Sequence, residues 1–170
     1  MPFSQTFLKE FEEEMKNTRK ILECVPDGKF EYQPHPKSMT LGRLASHVAE
    51  MPNWAVTTLS TEGLEMGPDD KSQIFSTRAE LLQKFDKGVA DARLKIAGAS
   101  DADWKVIWTF KYMGQTFISA PRSEVMRGPV MNHLIHHRAQ LGVYLRLNDV
   151  AIPGMYGPSA DEMNVKTQAA

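Results

Sequence analysis

Phe3, Phe7, Phe11, Met15, Thr18 and Leu22 recur at intervals of four and three, with charged residues such as Glu12, Glu13, Lys16 and Lys20 between them. That period admits one solution: a helix with a single buried stripe, which must find an apolar partner. The chain supplies partners of the same kind. Thr40 opens a second helix whose face is Leu41, Leu44, Val48, Met51, Ala55 and Leu59. Thr77-Arg78-Ala79-Glu80 matches a capping box and starts a third, striped by Leu81, Phe85, Val89, Ala92 and Ile96 and ended at Gly98. A fourth runs from near Pro121 to about Asn148, with Val130, Leu134, Leu141, Tyr144 and Leu145 along one side. The expected fold class is therefore all-α, one helical domain over residues 1–165, with 166–170 a disordered tail.

The joints are legible in the same way. The first helix stops at Val25-Pro26-Asp27-Gly28, and Tyr32 to Met39 holds two prolines and reads as an ordered loop. Residues 61–75 are polar and rich in glycine and acid, and also read as loop. From 106 to 118 the period changes: Val106, Trp108 and Phe110 alternate, and a turn near Lys111-Tyr112-Met113-Gly114 predicts a small β-hairpin. Gly128-Pro129 interrupts the last segment, so the helix there either kinks or restarts with Pro129 at its first position.

Five histidines stand in the 170 residues, and three share the run Asn132-His133-Leu134-Ile135-His136-His137. His133 and His137 are four apart and leave one helix face a turn apart, the spacing by which a helix offers two nitrogens to one metal ion. His47 lies on the core margin of the second helix and is the candidate third ligand. Burying two imidazoles without partners costs roughly 1–3 kcal/mol each, and the stripe holds no acid to pair with them. A metal removes that cost. Three histidines leave a coordination position open, the arrangement of a catalytic rather than a structural site. The cofactor expected is a divalent metal, zinc or nickel first, with iron, manganese and copper left open.

Around the triad, Met51, Trp54 and Tyr144 are candidate pocket walls, and Glu50 is the acid on the correct margin to serve as a general base. His136 points about 100° away from His137 and reads as an interface or supporting residue, since Val143 and Leu147 extend its face. Arg138 and Gln140 read as structural polar residues, and His35 as a loop residue.

Net charge is −1, with 24% charged residues and no basic stripe, so nucleic acid is not an expected partner. No apolar run has transmembrane length, and the N-terminus lacks the pattern of a signal peptide. Cys24 is the single cysteine. It reads as a small core residue, which fits a reducing cytoplasm.

The run His133-x3-His137-Arg138-x-Gln140-Leu141 resembles the signature of the DinB superfamily of metal-binding helical bundles. The Leu44-Ala45-Ser46-His47 stretch and the Tyr156-Gly157-Pro158-Ser159 tail with Asp161-Glu162 resemble it too. The resemblance implies an up-down-down-up four-helix bundle, a homodimer, and His47, His133 and His137 as metal ligands. It further implies a low-molecular-weight thiol as cosubstrate, as in bacillithiol transferases and mycothiol-dependent maleylpyruvate isomerase. Gly128-Pro129 departs from the unbroken last helix of that pattern. Three activities follow as expectations: metal-dependent thiol S-transfer, metal-dependent hydrolysis with Glu50 as base, or small-molecule binding without turnover.

Overall fold

The computed structural model describes residues 2–163, so the expected disordered tail lies outside the described residues. Three long helices come first: α1 (Phe3–Glu23), α2 (Leu41–Ser60) and α3 (Arg78–Gly98). Their starts follow the capping chemistry. The Thr40 hydroxyl accepts from the Arg43 N–H, and Thr77 and Glu80 close the capping box in both directions. The stripes read from the period are buried, with Phe7, Phe11, Leu22, Leu41, Leu44, Leu81, Phe85 and Ile96 at 2% exposure or less.

α3 packs on both α1 and α2. At Gly88 its approach to α2 is tight: a Cβ there would stand 3.2 Å from Asn53 Oδ1 and 3.3 Å from Pro52 Cβ. The small residue brings the two helices together. Val89, expected on the stripe, is left half-buried beside it.

The hairpin is β2 (Ile107–Tyr112) with β3 (Gln115–Pro121), antiparallel. Met113 and Gly114 form its turn, with φ of 51° and 76°, the left-handed pair that a two-residue hairpin requires. Along β2 the alternation buries Trp108 and leaves Phe110 half-buried. Trp108 is fully buried, and its indole N–H donates to Thr61 Oγ1.

The stretch 61–75 corrects the sequence reading. Gly63–Met66 is a strand, β1, paired in parallel with β2, which makes a three-stranded sheet in the order β1-β2-β3. The chain is mostly helical rather than all-α. Four residues at a sheet edge show no alternation of their own, because their partners are hydrogen bonds to a strand some 45 positions further along, as in Gly63 with Thr109.

Of the two expectations for Gly128-Pro129, the restart is overturned: Pro129 lies inside a continuous helical run. α4 (Arg122–Val125) passes through a π-helical segment, Met126–Asn132, into α5 (His133–Arg146). Proline has no N–H for the carbonyl four residues back, and its ring crowds that carbonyl. Widening the turn by one residue relieves both problems.

Beyond α5 the C-terminal segment is tied down by carboxylates. Asp161 pairs with Arg146 and accepts from the Ile152 N–H, and Glu162 accepts from the Gly154 and Ser159 N–H groups. Arg138, 3% exposed, forms a buried ion pair with Glu14 at 2.7 Å and donates to Thr18 Oγ1 and the Tyr156 hydroxyl. Its role is structural: it clamps the segment after α5 onto α1. Cys24 is half-buried against the core, its thiol pushed up by burial. Among the described residues no helix is long and apolar enough to cross a membrane.

Candidate metal centre

α2 and α5 pack against each other, and their facing positions carry His47 on one side and His133 and His137 on the other. The three donor nitrogens lie within 4.8 Å of one another. His47 Nε2 is 3.4 Å from His133 Nε2, which is 2.8 Å from His137 Nε2. Zinc–nitrogen bonds of about 2.0–2.1 Å in a tetrahedron put nitrogens roughly 3.4 Å apart. The His47–His133 pair already has that separation, and the His133–His137 pair opens by about half an ångström to reach it.

The outer nitrogens decide what the inner ones can be. His133 Nδ1 is 3.2 Å from the Pro129 carbonyl, and His137 Nδ1 is 2.8 Å from Gln140 Oε1. The Pro129 carbonyl can only accept, so His133 Nδ1 carries the proton. With Gln140 Oε1 turned to His137, its Nδ1 is protonated too, and the two Nε2 lone pairs face each other 2.8 Å apart.

Protonation does not relieve this. Burial holds the His47 imidazolium down to a pKa of about 4, assisted by the neighbouring His137, His133 and Arg43. His133 and His137 are also lowered, chiefly by burial. Three neutral imidazoles whose Nε2 atoms converge are a donor set that fits a divalent cation.

The π-helical segment makes part of this geometry. The His133 N–H reaches back to the Gly128 carbonyl instead of the Pro129 carbonyl that an α-helix would use. That leaves the Pro129 oxygen to accept from His133 Nδ1. The residue that disturbs the helix thus fixes the tautomer of a candidate ligand. Neither Pro129 nor Gln140 was assigned this role from sequence, although each stands within one turn of the histidine it holds.

The triad opens on a cleft of about 260 Å³ lined by Met39, Arg43, Ser72, Gln73 and Ile74 together with His47 and His133. Its outer wall is the loop ahead of α3. The loop is pinned where the Phe75 N–H donates to the buried Ser46 hydroxyl at 2.9 Å, one residue before His47.

The surrounding assignments divide. Met51 does not wall the cleft: it is 1% exposed and belongs to the core, because the stripe that buries α2 takes it inward. Tyr144 stands one layer back, its hydroxyl donating to the backbone carbonyl of Met39, which does line the cleft. Trp54 and Glu50 line a neighbouring cleft instead, with Trp54 edge-on to Phe110 at 5.8 Å. Glu50 has no bond to the triad, which weakens its case as a base there. His136 is exposed and lies outside the triad, its ring against that of His137 at 4.9 Å.

Comparison with known proteins agrees with this architecture. The sequence pattern of the DinB family matches residues 1–169, and the chain belongs to that family. It is 28% identical over 161 residues to the uncharacterized protein YrdA of Bacillus subtilis (strain 168), covering 92% of this chain and 89% of that protein. In fold it is similar to the crystal structure of a DinB-like protein from Bacillus cereus ATCC 10987, with a TM-score of 0.71 at 20% identity over 89% of this chain and 97% of the other. A DinB-like protein of Bacillus subtilis, YjoA, is similar with a TM-score of 0.65 at 14% identity, over 88% and 97% of the two chains.

Proposed function

We propose that the protein is a metal-dependent thiol S-transferase, with His47, His133 and His137 holding one divalent cation and a low-molecular-weight thiol as cosubstrate. The observation that carries this reading is the pair of bare Nε2 atoms facing each other at 2.8 Å beside an open cleft. A divalent cation there lowers the pKa of a bound thiol and leaves a thiolate at neutral pH.

The chain's own residues prepare the rest. Pro129 and Gln140 keep the Nδ1 protons away from the site, so both nitrogens donate without rearrangement. Met39 and Ile74 narrow the cleft and reduce access of water to the attacking sulfur. Arg43 at its rim is a cation for an anionic group on thiol or acceptor. Hydrolysis is less well supported, because it benefits from an acid beside the triad and Glu50 lies in the neighbouring cleft. We also propose that the helices run up-down-down-up and that the working unit is a cytoplasmic homodimer.

The test is direct. The chain, purified without a histidine tag, is assayed for metal and then for consumption of thiols with 1-chloro-2,4-dinitrobenzene. Bound zinc or nickel with metal-dependent conjugation is the expected result. Bound metal without turnover of any thiol would return the site to hydrolysis or to binding alone.

A further inference from the structure

His47, Glu50, Trp54 and Thr57 follow one another on α2 at intervals of three, four and three, so a single helix face leads from the triad into a second cleft. That cleft has a volume of about 280 Å³, and Ser72 lines both. Glu50 is half-buried, its carboxyl pushed up by burial and drawn back by Lys84 across the cleft. Lys71 stands at the same opening. Among the described residues, the side chains of Glu50, Lys71 and Lys84 make no hydrogen bond or ion pair. Asn53 Nδ2 is buried without an acceptor, whereas Asp70 is already engaged by the Gly67 N–H at 2.6 Å.

The mixture of signs selects the ligand. A phosphate would suit the lysines and be repelled by Glu50. A simple amine would suit Glu50 and be repelled by the lysines. A group carrying both charges a few ångströms apart satisfies all three, and its carboxylate also offers an acceptor toward the Asn53 amide. Trp54 supplies an apolar wall for the carbon skeleton between them.

We propose that the cleft between Glu50 and Lys84 is a substrate subsite for the ammonium–carboxylate end of an amino-acid or peptide-type substrate. Glu50 takes the ammonium, Lys84 and Lys71 take the carboxylate, and the chain of the substrate passes Ser72 toward the triad. Only this last placement rests on the triad being the reaction centre; the subsite itself requires no metal.

The experiment uses the metal-free full chain and S-methylglutathione, whose γ-glutamyl end bears both charges and whose sulfur is blocked. Binding is followed at the Trp54 indole N–H by ¹⁵N NMR, the peak assigned with Trp54→Phe. A saturable shift is expected. Glu50→Gln and Lys84→Met should each weaken it about tenfold or more, the effect of losing one charge-assisted hydrogen bond. N-acetylation of the probe should do the same. No shift at Trp54, or equal binding by both variants, overturns the proposal. Because the probe has no free thiol, failure of thiol transfer leaves this result standing, and failure of the probe leaves the chemistry of the triad untouched.

Discussion

His137 donates its Nδ1 proton to Gln140 and turns a bare nitrogen toward His133, whereas His136, next in the chain, is exposed and touches only the edge of that arrangement. The two therefore answer mutation differently. His137→Ala removes a ligand and should cut bound metal severely, since two histidines are a poor cage. His136→Ala should retain it. Elemental analysis of the two purified variants checks the assignment, and loss in His136→Ala alone would refute it. A second prediction concerns pH. In the metal-free protein the triad histidines titrate below the 6.5 of an unfolded chain, His47 at about 4. Between those values the unfolded state binds more protons, so this part of the stability is present above pH 6.5 and lost as pH falls toward 4. Thermal unfolding in the presence of a chelator should show His47→Gln losing less stability than wild type between pH 7 and pH 4.5. Equal losses would mean that burial does not hold these rings neutral. The three histidines could be named from spacing and stripe position alone. The partner of His133 Nδ1 could not, because a carbonyl four residues back becomes available only when the helix widens.

Among the elements, the π-helical segment is where local sequence and function meet. Pro129→Ala restores an N–H and removes the ring that crowds Val125, which favours an ordinary α-helical register. The His133 N–H would then take the Pro129 carbonyl, and His133 Nδ1 would lose its acceptor. The expected consequence is metal affinity lower by about 10–100-fold, the usual effect of removing a ligand's supporting hydrogen bond. A competition titration against a chromophoric chelator measures it. Unchanged affinity would show that the Pro129 carbonyl does not set the ligand. The capping box and the hairpin turn were readable because their signals are local: Thr77 with Glu80, and Met113-Gly114 between alternating residues. β1 had no such signal, because an edge strand of four residues is defined by its distant partner.

For the molecule as a whole, the face that carries Val143 and Leu147 remains apolar and open, at 59% and 56% exposure. It forms one side of a groove of about 450 Å³ between α5 and the C-terminal segment, with Ile21, Ile152 and Met155. A second copy of the chain is the expected occupant. Light scattering at micromolar concentration should give a dimer mass that Val143→Glu shifts toward monomer; a wild-type monomer would count against it. The sequence by itself determined the helical stripes, their caps, the hairpin and the identity of the three convergent histidines, since each depends on periodicity or on residues a few positions apart. Only the tertiary structure decided that Trp54 faces a neighbouring cleft while Tyr144 braces Met39 from behind. It alone joined β1 to β2 and placed Glu50 opposite Lys84 in a cleft of its own. Those outcomes depend on which distant segments pack together, and a stripe specifies that a face is buried without specifying against what.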